Sequence, residues 1–223
     1  MQISLILNAL ENWAPLEWQE PYDNAGLIVG NPEQNCTGVL CSLDCTEAVV
    51  EEAISRGCNL IVSHHPIIFK GIKQINSNHF VSKVLVNASQ NNIVLYAIHT
   101  NLDNLLEGVN KTLADRLHLE NRRILTPKPG FKDPQGREIG SGLVGELPLE
   151  TDEKEFLKWV KEKLNLPLIK HSQFTKKTLK TIALCGGSGS FLINDAKAQN
   201  IDCFITSDLK YHDYFEAEIG RAH

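Results

Sequence analysis

The chain has 223 residues, more than the ~100 to 200 typical of one domain yet not enough to require two. With 42% hydrophobic and 22% charged residues it can fill a core, which excludes a disordered polymer. Twenty-two Lys and Arg against 27 Asp and Glu give a formal charge of -5 with no long block of one sign, which argues against a nucleic-acid binder, whose footprint is a basic patch.

The N-terminal "MQISLILNALENWAP" lacks the basic start and small-residue cleavage site of a secretory signal, so it reads as an amphipathic helix. No stretch approaches the ~18 apolar residues of a membrane span, and the expected compartment is the cytoplasm. "GVLCSL" (38 to 43) predicts a short strand. Thr46 can cap a helix over "EAVVEEAISR", in which Val49, Val50, Ala53 and Ile54 recur at helical spacing, and Gly57 stops it. "NLIVS" is the next strand. "HFVSKVLVNASQNN" predicts a helix, "NIVLYAI" a strand, and "HTNLDNLLEGV" leads into a helix over "NKTLADRLH". Apolar strands alternating with helices predict an α/β fold whose sheet is covered on both faces.

Residues 121 to 143, "NRRILTPKPGFKDPQGREIGSGL", are rich in Pro, Gly and charge and predict a surface connection between a first lobe (1 to 120) and a second (144 to 223). Beyond it come the strand-like "LVGELPL", the amphipathic helix "DEKEFLKWVKEKLN" and a βαβ pattern in "KTIALCGGSGSFLINDAKAQNIDCFITSDLKYHD". Placing Ile182 on Val39 without a gap puts Leu192 and Ile193 on Val49 and Val50, Ala196 on Ala53, and Phe204, Ile205 and Thr206 on Ile61, Val62 and Ser63. Two related lobes with their strand ends at a cleft are therefore expected. In this register Ser207 and Asp208 match His64 and His65.

Six cysteines (Cys36, Cys41, Cys45, Cys58, Cys185 and Cys203) include no C-x-x-C and are expected as small buried hydrophobes in a reducing compartment. The chemistry concentrates elsewhere. His64 and His65 follow a buried strand, where open α/β sheets place ligands, and Pro66 stiffens that edge. Successive side chains of an extended chain point to opposite sides, so the pair suits two neighbouring ions better than one, and such ions need a carboxylate. Asp103 in "HTNLDN" follows the next strand and is the candidate, with His99 and Asn101 orienting the ligands. Histidine with carboxylate suits Zn, Mn, Fe or Ni. Gly186, Gly187 and Ser188 of "CGGSGS" lie between a strand and a helix, where backbone N–H groups can meet an anion or simply make a tight turn. Lys70 could add positive charge to such an anion site, and His212 and Asp208 of "SDLKYHD" are polar groups at the second strand end.

With "YDNAGLIVG", "SHHPIIFKGIK", "HTNLDN", "CGGSGS" and "ITSDLKYHD" in this order between residues 22 and 213, the chain resembles the GTP cyclohydrolase 1 type 2 homologues, also called NGG-interacting-factor-three-like proteins. The resemblance implies a two-lobed α/β protein in ring-shaped homohexamers, with a dinuclear metal centre facing an internal cavity. His64 and His65 would each serve one metal, and Asp103 matches the family's aspartate. A Gly-His-x-x-x-Glu-like motif ends family members, whereas this sequence ends "FEAEIGRAH", so its two ligands are not assigned to Glu216, Glu218 or His223. The implied function is metal-dependent hydrolysis of a nucleotide or phosphorylated small molecule. A non-catalytic metal-binding scaffold is the alternative.

Overall fold

The structure, a computed structural model, describes residues 1–76, 78–175 and 178–218. It divides into two compact units, Met1–Leu102 and Asp103–His223. The division falls ahead of the expected boundary at residue 120 because the segment after the break packs with the second unit: Ala114, Leu117 and Leu119 share a core with Leu143 and Ile182.

The first unit opens with helix α1 (Ile3–Trp13), followed by strands β1 (Gly26–Val29) and β2 (Val39–Ser42), helix α2 (Glu47–Ser55) and strand β3 (Leu60–Ser63). Helix α3 (Phe80–Gln90) and strand β4 (Val94–Ala97) complete it, and the division falls within the single turn α4 (Thr100–Asp103). The sheet order is β1-β4-β3-β2, with β2, β3 and β4 parallel and β1 antiparallel to β4. Thr46 caps α2 as expected, its side chain accepting from the Val49 N–H at 3.2 Å. After α2 the chain reverses through Gly57 at φ +68°, a left-handed backbone region that favours glycine.

Strand alternation sends Ile61 and Leu95 to one face against Val50 and Ala53 of α2 and Val84, Leu85 and Ala88 of α3. Leu60, Val94 and Tyr96 face the other side against Ile3 and Leu7 of α1. The sheet is thus covered on both faces, and its C-terminal edge is what the helices leave open to function.

In the second unit, helix α5 (Val109–Arg116) precedes strands β5 (Glu120–Lys132) and β6 (Glu138–Asp152), helix α6 (Glu153–Lys163), strand β7 (Thr178–Ser188), helix α7 (Ile193–Ala198), strand β8 (Cys203–Ser207) and helix α8 (Tyr211–Glu218). The order is β5-β6-β7-β8, with only β7 and β8 parallel. The expected connection over 121 to 143 is corrected here: those residues form most of the β5–β6 hairpin. Pro127 and Pro129 are tolerated because β5 is an edge strand, where a missing N–H need not break the ladder. "DPQGR" makes the turn, Asp133 accepting from the Gln135 and Arg137 N–H groups. Gly140 lets the two strands approach, since a Cβ there would lie 2.1 Å from the Thr126 carbonyl oxygen.

The internal repeat survives in one part. Val39 pairs with Leu60 and Cys41 with Val62, while the matched Ile182 pairs with Cys203 and Leu184 with Ile205, so both βαβ units share one register. Their sheets then grow differently. The first extends from its second strand, β3 to β4, and the other from its first strand, β7 to β6.

The cysteine expectation is corrected as well: Cys45 is buried, Cys41 is exposed on the edge strand β2, and the other four are half-buried.

Candidate metal centre

Every strand of the first sheet delivers a polar residue to the same edge. His64 and His65 follow β3, His99 follows β4, and Asp44 follows β2, the register pairing Ser42 with Ser63 and Ser63 with Ala97. Strand β1 runs the other way, with Gly26 opposite Ala97, so the residues preceding it, Asp23 among them, arrive at that edge too.

Alternation would send His64 and His65 to opposite sides, but the strand ends at Ser63 and the chain bends. Their N–H groups donate to the carbonyls of Ser42 and Leu43 at 3.1 and 2.9 Å, and the Ser63 hydroxyl donates to the His65 carbonyl at 2.9 Å. The bend brings both rings together, with centroids 5.0 Å apart, and His99 lies 5.1 Å from His64 and 5.4 Å from His65. One ring nitrogen from each of the three falls within 4.8 Å of the others.

The tautomers follow from the partners. His64 Nδ1 faces the Ile98 carbonyl oxygen at 2.9 Å, His65 Nδ1 the Asp44 carboxylate at 2.8 Å and His99 Nδ1 the Asp23 carboxylate at 2.8 Å. All three partners are acceptors, so each Nδ1 is the donor, which leaves Nε2 as the ring nitrogen that could bind a metal. Burial, reinforced by the nearby His99, holds His64 below its ordinary pKa, which keeps it neutral and ligand-competent near pH 7.

The two carboxylates differ in depth. The Asp23 side chain is 0% exposed and that of His99 14%, whereas His65 and Asp44 sit at the surface. Burial alone would raise the Asp23 pKa. Hydrogen bonds from His99, from the Thr100 hydroxyl and N–H and from the Asn24 N–H outweigh it and hold the carboxyl at about 2. Asn101, fully buried, accepts from the His99 N–H at 2.9 Å and donates to the Ala14 carbonyl at 2.7 Å, fixing the turn that carries His99. Sequence reasoning assigned His99 an orienting role, whereas its ring joins the cluster itself. Neither Asp23 nor Asp44 was singled out: only the antiparallel pairing of β1 reveals the first and the parallel pairing of β2 the second.

The remaining candidates occupy other segments of the chain. Asp103 closes α4 at the start of the second unit, its carbonyl accepting from Asn110 at 3.2 Å. Burial, aided by the Asp103 charge, pushes the Cys185 thiol up to about 12. The Gly186 N–H donates to Asn110 at 2.8 Å and the Gly189 N–H to Thr206 at 2.9 Å, while the Gly187 carbonyl accepts from the Ser207 hydroxyl. A Cβ at Gly189 would meet Thr206 Oγ1 at 2.6 Å, so a small residue is needed there, while Cys185 to Ser188 of "CGGSGS" form the end of β7 rather than a loop between strand and helix, with Ser188 opposite Ser207. Lys70 is exposed on the segment after Pro66. His212 lies on α8 with its ring 5.3 Å from Tyr211 and 6.4 Å from Phe215. Glu216 and Glu218 accept from Asn194 and the Gln173 N–H, and His223 lies outside the described residues.

Comparison with known proteins identifies relatives of this chain. The profile of the family described as Duf34/NIF3 (NGG1p interacting factor 3) matches residues 1–222. A Clostridium acetobutylicum protein named GTP cyclohydrolase 1 type 2 homolog is 33% identical over 223 residues, spanning 99% of this chain and 82% of its own. A Clostridium perfringens protein of the same name is 35% identical over 212 residues, spanning 95% and 79%. The crystal structure of a Staphylococcus aureus protein superposes with a TM-score of 0.88 at 32% identity, covering 98% of this chain and 83% of that one. A Bacillus cereus protein related to NIF3 superposes at 0.90 with 23% identity over 98% and 85%, a likeness of fold alone. The chain belongs to the Duf34/NIF3 family.

Proposed function

We propose that this protein is a divalent-metal-dependent hydrolase-like enzyme acting on a nucleotide or phosphorylated small molecule. The observation that carries the reading is the convergence of three imidazoles whose Nδ1 atoms all face acceptors. Their Nε2 atoms fit Zn, Mn, Fe or Ni, which favour imidazole, better than Ca or Mg, which favour oxygen. Two ions per chain are proposed, with Asp103 as carboxylate ligand on the strength of the family resemblance and its place four residues beyond His99.

Bound divalent cations would supply Lewis-acid polarisation and a water acidified to near neutral pH. The protein's own residues do the rest. Asp23 and Asp44 hold His99 and His65 in one tautomer, the Ile98 carbonyl does so for His64, and the burial of His64 keeps that ring unprotonated. The substrate class draws on the relatives' name, GTP cyclohydrolase 1 type 2 homolog. A homohexamer and a cytoplasmic location belong to the same proposal; among the described residues no helix is long and apolar enough to cross a membrane.

The test is elemental analysis of untagged, chelator-free protein beside the His64→Ala/His65→Ala variant, followed by a screen of nucleotides and phosphate esters with Mn, Zn, Fe or Ni. About two ions per chain, lost in the variant, and saturable turnover support the reading. Bound metal without turnover of any substrate favours the scaffold, and wild-type protein that binds none of these metals overturns the proposal.

A further inference from the structure

The segment between β3 and α3 carries a feature that the metal cluster does not use. Pro66 is buried and Ile67 and Ile68 pack against the core of the first unit, while the Asn24 amide donates to the Ile68 carbonyl at 2.9 Å. The backbone is therefore anchored up to Ile68. The next residue, Phe69, is turned outward, its ring 5.8 Å from that of His99 at an interplanar angle of 82° and 54% exposed. A single exposed aromatic means little by itself. This one stands as a wall beside three ligand-competent imidazoles on an anchored backbone, and Lys70 and Lys73 follow it, both exposed.

We infer that Phe69 is a specificity-determining residue that stacks on a planar heteroaromatic ring of a phosphorylated substrate held at the His64–His65–His99 cluster. The inference rests on the functional reading above and deepens it by naming what the substrate presents. The exposed ring face offers π-stacking, which accepts any flat base and needs no hydrogen-bond code. The two lysines suit the anionic end of such a molecule. An aliphatic phosphate would leave the ring without a partner.

The experiment compares GTP with inorganic tripolyphosphate, which share the phosphate chain and differ in the base. Both are titrated calorimetrically into Mn-replete wild type, Phe69→Ala, Phe69→Trp and the surface control Phe80→Ala, and the metal content of each protein is measured. Stacking is worth ~1 to 3 kcal/mol per base, which converts to roughly 5- to 150-fold in affinity. GTP should therefore bind wild type at least about fivefold more tightly than tripolyphosphate. Phe69→Ala should lose that advantage while its tripolyphosphate affinity and metal content stay unchanged, and Phe69→Trp should keep it. Equal binding of the two probes, equal loss of both in Phe69→Ala, or no binding of either overturns the inference. Normal metal content without Phe69-dependent selectivity leaves the metal reading standing and sinks this one. Selectivity that persists in metal-free protein supports the stacking role and counts against the metal reading.

Discussion

Replacing Asp23 with Asn removes the buried charge that orients His99 while changing little in shape. Sited among four donors, the carboxyl titrates at about 2 in the folded protein against 3.8 for an unperturbed aspartate. A folded-state pKa below the unfolded one gives stability that is fully present above pH ~4 and lost as pH falls through about 2. At 1.36 kcal/mol per unit the contribution is roughly 2 kcal/mol, and with the side chain 0% exposed no allowance for solvent screening is needed. The Asn amide nitrogen would also face a donor on one side, His99 or Thr100, since the two bond to different oxygens of Asp23, adding to the loss. Urea unfolding of metal-free protein, followed by circular dichroism at pH 7, 5 and 3, measures it. Wild type should exceed Asp23→Asn by roughly 2 kcal/mol or more at pH 5 and 7, and the gap should narrow at pH 3. A gap that does not depend on pH, or one under about 0.5 kcal/mol at pH 7, would refute the charge-based argument.

Asn101→Ala strands the His99 N–H and the Ala14 carbonyl in a buried site, so thermal unfolding should show a loss of about 1 to 3 kcal/mol without any change in surface charge. Gly140→Ala places a methyl group against the Thr126 carbonyl and should destabilise the second unit by more than about 1 kcal/mol, seen as a lower denaturation midpoint. Thiol labelling at pH 8 should modify the exposed Cys41 readily, whereas Cys185, half-buried and with its pKa near 12, should react at a comparable rate only when the protein is unfolded. Peptide mapping of the labelled sites distinguishes them.

The βαβ units were legible because their signals are local: Thr46 as a cap, Gly57 as a stop and apolar runs of strand length. The repeat could even be aligned to the correct ladder register, since Val39–Leu60 and Ile182–Cys203 pair at matched positions. The β5–β6 hairpin was not legible, because its prolines and glycines signal loop unless the strand is known to lie at an edge. The site was half legible. His64 and His65 stand out beside a strand, but the depth of Asp23 and the ligand geometry of His99 depend on which strand neighbours which, and β1 pairs with a strand far along the chain. The opposite-facing argument for the two histidines failed for a local reason, the bend that begins directly after Ser63.

The His99–Asp23 pair spans 76 positions in sequence, and the three imidazoles sit beyond the ends of two separate parallel strands. An unfolded chain cannot hold these groups together, so a cation captured by the imidazoles becomes a fastener for the sheet of Met1–Leu102. Titrating metal should therefore slow the hydrogen exchange of β3 and β4 amides more than that of β5 and β6, making exchange protection a readout of site occupancy that needs no substrate.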